Sequence, residues 1–212
     1  MNRIEPHEIV LFRGNTKEPV LARVEPINVE WLTKLEVEWS VARRQLADAA
    51  LLLGKETEHV HAGWSWANLF KVDWILAGIC SGAVISVNGM PEGAMLYRTE
   101  PRPAKLGPDL GLPTVYVSVI EAAPWNAATL VGSGARFRPV GARLVRAAIL
   151  ASLAENCGGR ICLEALPQAN RFYERLGFIQ VPDASPYGLP YYEMTSAAAN
   201  RFLHPQAAQE PS

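Results

Sequence analysis

The sequence predicts a single domain of mixed α/β (α+β) class, and two observations carry this prediction. Short apolar, β-branched runs alternate along the chain with longer stretches of helical periodicity, an order typical of strands packed against helices. The chain has 212 residues, of which 49% are hydrophobic and 19% charged, enough apolar material for one core of ordinary size. We therefore expect one domain over residues 1–203 and a loose polar tail over residues 204–212.

The predicted strands are short apolar runs rich in β-branched residues and bounded by Gly, Pro or Asn. The run over residues 115–121 is the clearest, because it is unbroken and polar side chains alternate with valines along it. The dipeptide Asn88-Gly89 predicts a tight hairpin between two other strands. The predicted strands cover residues 20–24, 74–80, 83–87, 93–99, 115–121, 160–165, 178–181 and 191–195.

Helices are predicted where apolar residues recur every three or four positions without an interrupting Gly or Pro. Residues 29–53 fit either one long helix or two broken ones. Residues 141–156 form a second predicted helix, and residues 167–176 form a short third one that begins with a proline. Residues 59–70 are predicted as a loop or a short helix, and residues 100–113 and 124–134 as connections.

The net charge of the chain excludes one class of partner, whereas the position of the charges indicates another. The 20 Lys and Arg nearly balance the 21 Asp and Glu, which argues against a nucleic-acid-binding protein. No acid lies between Glu121 and Glu155, while that stretch contains arginines at positions 136, 138, 143 and 146. Because a helix N-terminus presents free amides with partial positive charge, this cluster fits a phosphate or pyrophosphate site. A solvated basic helix face is the alternative.

Cysteine usage predicts a cytoplasmic protein with reduced thiols. The chain has three cysteines, at positions 80, 157 and 162, and an odd number forms no disulfide framework. We expect no metal site, because His59 and His61 lack further ligands nearby and are interpreted as surface or internally bonded histidines. We also expect no signal peptide and no contact with a membrane, since the longest apolar runs are far shorter than a membrane span.

Three segments resemble sequence patterns of the GNAT superfamily of acyl-CoA-dependent N-acyltransferases. Residues 136–141, Arg-Phe-Arg-Pro-Val-Gly, look like the pyrophosphate loop of that family, Gln/Arg-x-x-Gly-x-Gly/Ala. Residues 169–178, Ala-Asn-Arg-Phe-Tyr-Glu-Arg-Leu-Gly-Phe, look like its Ala-x-x-Phe-Tyr-x-x-x-Gly-Phe helix and turn. A weaker match is Glu-Ala-Ala-Pro-Trp-Asn over residues 121–126. The resemblance covers about residues 115–181 and rests on the three segments occurring in order.

The resemblance implies a GNAT-like fold, with a central mixed and mostly antiparallel sheet flanked by helices. It divides the domain into an acceptor side over about residues 20–113 and a CoA-binding core over about residues 115–181. The implied reaction is direct transfer of an acetyl group from acetyl-CoA to a primary amine of an unknown small molecule or peptide. An edge strand at residues 191–195 would allow a homodimer.

The resemblance also implies roles for individual residues. Tyr173 would protonate the leaving thiolate, as a phenol can, and its alternative role is that of a core tyrosine. Glu121 would accept the proton of the amine, directly or through water, and its alternative is a solvated charge at a strand end. The implied cofactor-binding residues are Val119 and Ile120 on the central strand, Arg136, Phe137, Arg138, Val140, Gly141 and Ala142 around the loop, and Asn170.

Two departures from the family pattern keep other functions open. Pro139 stands where the loop has its first glycine, so one amide donor is missing, and Leu166 stands where many members have an asparagine that contacts the cofactor. A non-catalytic acyl-CoA-binding or regulatory module is therefore the first alternative. An unrelated phosphate-binding α/β protein is the second. The many tryptophans of the N-terminal half fit either an aromatic acceptor wall or core packing.

Overall fold

The computed structural model describes residues 4–52, 65–126, 134–182, 184–185 and 188–205. These residues form ten strands and five α-helices. The strands are β1 His7–Arg13, β2 Pro19–Pro26, β3 Cys80–Val87, β4 Met90–Arg98, β5 Arg102–Pro103, β6 Pro113–Ala122, β7 Phe137–Arg138, β8 Ile161–Glu164, β9 Ile179–Gln180 and β10 Tyr191–Met194. The helices are α1 Val29–Leu52, α2 Leu69–Leu76, α3 Val140–Ala154, α4 Asn170–Arg175 and α5 Ser196–Leu203.

The chain divides into two compact units, of which the first comprises Met1–Met95 and Ile120–Leu144. Its strands are hydrogen-bonded in the order β7-β1-β2-β3-β4, and the β1–β2, β1–β7 and β2–β3 pairs are antiparallel. The predicted Asn88-Gly89 hairpin between β3 and β4 is confirmed, since the two residues have φ angles of 50° and 77°. Positive φ at both turn positions matches the twist of the flanking strands.

The second unit comprises Leu96–Val119 and Val145–Ser212. Its strands follow the order β4-β6-β8-β10-β9, with β5 added to β6. β6 and β8 run parallel, whereas β10 is antiparallel to both β8 and β9. The sheet is therefore mixed and mostly antiparallel, which confirms the predicted fold class. β4, β6 and α3 each contribute residues to both units, and the domain limits expected from the sequence stay a prediction.

Several predicted elements differ from the observed ones. The helix predicted over residues 29–53 is one helix, α1, over its described part Val29–Leu52, rather than two. The strand predicted over residues 74–80 is wrong, because α2 runs to Leu76 and the Asn68 side chain caps it by accepting from the Lys71 amide. Strand β1 and helix α5 were not predicted. The strand predicted over residues 191–195 is confirmed as β10, but its predicted position at the edge of the sheet is wrong, because β10 lies between β8 and β9. That removes the argument for a homodimer.

Gly93 on β4 determines how closely the start of α3 approaches the sheet. A Cβ atom at this position would lie 2.5 Å from Val140 Cγ1 and 3.1 Å from Leu144 Cδ1. Val140 and Leu144 face the strand from the first two turns of α3 and are buried. The absence of a side chain at position 93 therefore seats the N-terminus of α3 directly on β4.

Candidate functional site

The loop before α3 is fixed by backbone pairing and leaves the first amides of the helix without partners. β7 pairs with β1 through Phe12–Arg138 and Arg13–Phe137, and the Phe137 amide donates to Asn126 Oδ1 at 2.8 Å. The first α3 amide that bonds back is that of Arg143, which donates to the Pro139 carbonyl at 3.1 Å. Within the described residues the three preceding amides, at positions 140–142, donate to no carbonyl, as at any helix N-terminus.

The four arginines of the acid-free stretch have different surroundings. Arg143 donates to the Val10 carbonyl at 3.2 Å, and Arg146 donates to the Leu203 carbonyl at 3.3 Å. Arg136 is half-exposed and forms an ion pair with Glu92, whose Oε1 lies 3.6 Å from Arg136 Nη1. Arg138 is exposed, and its guanidinium has no hydrogen bond or ion pair in the part of the chain that the structure describes. Within the described residues the cluster therefore comprises one arginine without a partner, one in an ion pair and two bonded to backbone carbonyls.

Glu92 supplies the counter-ion that the acid-free stretch lacks. Its carboxylate is completely buried on β4, and Oε2 accepts hydrogen bonds from Trp125 Nε1 at 2.6 Å and from Asn126 Nδ2 at 2.9 Å. The Glu92 carbonyl accepts hydrogen bonds from the Ala123 backbone amide and from the Asn126 side chain through Nδ2. Burial raises the pKa of Glu92, while the Trp125 and Asn126 donors and the Arg136 charge act in the opposite direction.

Glu121 is buried in an ion pair rather than solvated at a strand end. Arg43 Nη2 donates to Glu121 Oε1 at 2.9 Å and to Oε2 at 2.7 Å, and Trp66 Nε1 donates to Oε2 at 2.7 Å. Arg43 and Glu121 are 2% and 9% exposed, so both charges depend on this pairing. The solvated-charge interpretation of Glu121 is wrong, because α1 supplies a cation that sequence spacing does not reveal.

Trp66 joins α1 to the end of β6 and is fully buried. Its backbone amide donates to Glu36 Oε2 at 2.7 Å, and its ring meets that of Trp39 edge-on with centroids 5.8 Å apart. Lys71 Nζ lies 5.2 Å from the Trp66 ring centroid, and burial lowers the pKa of Lys71. For Trp39 and Trp66 the core-packing interpretation is confirmed, whereas Trp64 lies outside the described residues, as do His59 and His61.

The C-terminal half of β6 extends beyond its partner β8. The parallel pairing covers Val115–Ile161 to Val117–Leu163 and then ends. Val119 and Ile120, predicted as cofactor contacts, follow this point and are partly exposed. Ser118 Oγ is buried and has no hydrogen-bond partner among the described residues. This stretch of β6 therefore combines a backbone edge not used by β8 with an unsatisfied hydroxyl.

Tyr173 is buried in α4 with an aromatic shell around its ring. Its centroid lies 5.1 Å from that of Phe172, 5.3 Å from that of Phe178 and 6.3 Å from that of Tyr192. Its hydroxyl makes no hydrogen bond within the described part of the chain. Burial raises the pKa of Tyr173, so the hydroxyl retains its proton at neutral pH. In the same helix, Asn170 Oδ1 is buried without a partner in the described residues.

The structure identifies three residues that the sequence did not single out. Arg43 and Glu92 lie 78 and 44 positions before the residues with which they pair, so no local pattern indicates them. Asn126 was within the third matched segment, although its bond to the Phe137 amide requires the loop geometry. Phe137 itself is buried and its amide donates to Asn126, which holds the loop; its predicted role as a cofactor-binding residue stays a prediction.

The described residues contain neither a membrane-spanning helix nor a group of metal-ligand side chains. No helix among them is long and apolar enough to cross a membrane. Their His, Cys, Asp and Glu side chains form no group of three or more that could hold a metal ion. The three cysteines are buried and form no disulfide bond.

Known structures resemble the chain in fold, while comparisons of sequence find nothing: no family model and no curated protein matches. A chain in the structure of AtaTR bound with AcCoA is 15% identical, with a TM-score of 0.52 over 86% of this chain and 98% of that one. A bacterial toxin is 14% identical, with a TM-score of 0.50 over 73% of this chain and 86% of that one. A GCN5-related N-acetyltransferase from Ralstonia eutropha JMP134 is 15% identical, with a TM-score of 0.48 over 77% and 96%. The chain shares its fold with the first two of these structures, and its mixed sheet with the strand–loop–helix order is the GNAT-like fold that the sequence resemblance implied.

Proposed function

We propose that the protein is an acyl-CoA-dependent N-acetyltransferase that transfers an acetyl group to a primary amine of a small molecule or peptide. The observation that carries the proposal is the start of α3, where the amides of residues 140–142 have no partner among the described residues. Arg138, two residues before the helix, is exposed and its guanidinium has no partner in the same part of the chain either. Helix N-termini with an arginine bind phosphate groups well, because both backbone and side chain offer donors.

The donors of this chain fit acetyl-CoA in three respects. The amides of Val140, Gly141 and Ala142 with Arg138 suit a pyrophosphate, and Pro139, which lacks an N–H, removes only one donor. The backbone of Val119 and Ile120 lies beyond the β8 pairing and suits an amide-bearing arm that adds hydrogen bonds along a strand. The unsatisfied Asn170 Oδ1 and Ser118 Oγ are polar atoms that a ligand with amide and hydroxyl groups would satisfy.

Tyr173 is proposed as the general acid. Acetyl-CoA would supply a thioester, from which the amine takes the acetyl group as the carbon–sulfur bond breaks and a thiolate leaves. The Tyr173 hydroxyl has no competing acceptor among the described residues and keeps its proton at neutral pH, so it is available to donate to sulfur.

Glu121 is proposed as the acceptor of the amine proton, directly or through water. A carboxylate has about four lone-pair sites, and three are used by the donors of Arg43 and Trp66. The remaining site is on Oε1, for which the described residues show one donor, Arg43. The ion pair holds this oxygen in one orientation, which proton transfer requires.

A non-catalytic acyl-CoA-binding module is the second candidate, and the same ion pair favours it. Three hydrogen bonds already stabilise the Glu121 carboxylate, so its role can be to join β6 to α1 without taking a proton. Under this alternative the protein binds acetyl-CoA without acetylating an amine.

Calorimetry with CoA and acetyl-CoA tests the binding step. Arg138→Ala is expected to weaken binding about tenfold, equivalent to about 1.4 kcal/mol. The matched control is Arg146→Ala, because Arg146 lies in the same acid-free stretch but bonds to the Leu203 carbonyl, and it is expected to bind like the wild type. Absence of binding by the wild-type protein would overturn both candidates.

Turnover separates the two candidates. Acetyl-CoA is incubated with a panel of amines, with thiol release and the mass of the amide product measured together. Product formation that depends on Tyr173 supports the enzyme, whereas tight binding with no product across the panel supports the binding module.

A further inference from the structure

Glu92 connects β4 to three separate points of the loop before α3. Its carboxylate accepts from the Trp125 indole and from the Asn126 side chain, and Asn126 Oδ1 in turn accepts from the Phe137 amide at 2.8 Å. The third point is Arg136, whose Nη1 lies 3.6 Å from Glu92 Oε1. One buried carboxylate therefore restrains both ends of the segment that leads from β6 into α3.

Glu92 Oε1 depends on its ion pair with Arg136, whereas Oε2 has two hydrogen-bond donors. Glu92 Oε1 is buried and accepts no hydrogen bond among the described residues, so Arg136 is the cation that balances it. A buried carboxylate oxygen without a donor is costly, and this cost favours the guanidinium position that faces Glu92. The Trp125 and Phe137 rings flank the same guanidinium, with centroids 5.9 and 5.5 Å from its carbon.

Arg136 nevertheless remains available to a ligand. Its side chain is 51% exposed, and a guanidinium has five N–H donors in a rigid planar arrangement. Nη1 faces Glu92, and the other donors of the guanidinium make no hydrogen bond within the described residues. A cation held by a carboxylate and two rings loses less conformational entropy when it binds an anion than a freely rotating one.

We propose that Glu92 is a positioning residue for anion binding: it orients the Arg136 guanidinium and, through Asn126, the loop that precedes the free amides of α3. This inference rests on the proposed function for the identity of the anion, the pyrophosphate of CoA. The geometry of the ligand-free loop is independent of that identity, and it provides a separate readout.

The test compares Glu92→Gln with the wild type in the ligand-free and CoA-bound protein. The substitution keeps an oxygen that can accept from Trp125 and Asn126 but removes the charge, and the half-exposed Arg136 stays solvated, so the fold is expected to persist. Loss of the charge releases Arg136, the residue next to Phe137, so we expect hydrogen exchange of the Phe137 amide about tenfold faster. For the same reason we expect CoA affinity about tenfold weaker, with kcat changed less than twofold at saturating acetyl-CoA. Glu92→Gln combined with Arg136→Ala should weaken CoA binding no more than Arg136→Ala alone.

Glu193→Gln is the matched control. Glu193 is another buried carboxylate, but it accepts from the Lys105 and Leu106 amides and from the Tyr191 hydroxyl. It is expected to change stability without changing Phe137 exchange or CoA affinity. Additive effects of the Glu92 and Arg136 substitutions, or unchanged Phe137 exchange in Glu92→Gln, would overturn the inference. If the wild type binds no CoA, the proposed function fails, while the exchange experiment still decides whether Glu92 positions the loop.

Discussion

Arg43 and Glu121 form a buried ion pair in which one guanidinium nitrogen donates to both carboxylate oxygens, 2.9 and 2.7 Å away. Removal of one partner leaves an uncompensated buried charge, which costs about 3–5 kcal/mol. We therefore expect Arg43→Met to lower the free energy of unfolding by about that amount in urea denaturation.

The double variant Arg43→Met with Glu121→Gln provides the check on this prediction. With both charges removed, most of the lost stability should return, because the penalty comes from isolation of a charge. Equal and additive losses in the two single variants would show that the residues do not interact. Activity should be lost in both single variants if Glu121 accepts the proton.

Replacement of Gly93 by alanine tests the seating of α3. The new Cβ would lie 2.5 Å from Val140 Cγ1, and overpacking of this kind costs about 1–3 kcal/mol. Lower thermal stability and weaker CoA binding are expected together. Gly107→Ala is the control, since nothing lies within 4 Å of a Cβ there; a comparable loss in Gly107→Ala would contradict the explanation.

Tyr173→Phe tests the general acid. Loss of the hydroxyl should lower kcat about 100-fold and leave the affinity for CoA almost unchanged, because the ring and its aromatic contacts persist. Tyr192→Phe removes a hydroxyl that donates to Glu174 Oε1 at 3.1 Å, and this control should retain its rate. A wild-type rate in Tyr173→Phe would assign Tyr173 to the core alone.

The pH dependence of stability reports on Glu92. Burial raises its pKa above the usual 4.5, so the folded protein holds this proton more tightly than the unfolded chain. The contribution of Glu92 is then fully present below the unfolded pKa and is lost as the pH rises through the folded pKa. Relative to Glu92→Gln, the wild type should lose stability from about pH 4.5 toward neutrality; a constant difference in urea titrations would contradict the shift.

The thiols should be inert in the folded protein. Cys80, Cys157 and Cys162 are 3%, 0% and 0% exposed, and burial raises the pKa of Cys162 to about 11. Because the thiolate is the reactive form, Ellman's reagent at pH 8 is expected to detect three thiols only after denaturation. A thiol that reacts rapidly in the native protein would contradict this burial.

Local sequence patterns were sufficient to predict the elements whose sequence signals lie within one segment. The Asn88-Gly89 hairpin, strand β6 and helix α3 follow from turn residues, alternation and periodicity. The strand predicted over residues 74–80 overlaps the last turn of α2, because these residues are apolar and partly β-branched and the Asn68 cap of the helix lies before them.

The candidate site was predicted in part for the same reason. Arg138 and the amides of α3 lie in one contiguous segment, so the sequence indicated them. The partners of Glu121 and Arg136 come from α1 and β4. Contacts between residues so far apart in the sequence produce no local pattern of residue spacing.

Only Arg138, among the arginines of the α3 region, has a guanidinium with no protein partner in the described residues. Free surface cations lose their attraction for anions as ionic strength rises, whereas backbone amides at a helix end act over short distances and are screened less. CoA affinity should accordingly fall by only a few-fold between 50 mM and 500 mM sodium chloride. CoA binding would then persist over a wide range of salt concentrations. A site that depended on four unpaired arginines would lose its affinity steeply as the salt concentration rises.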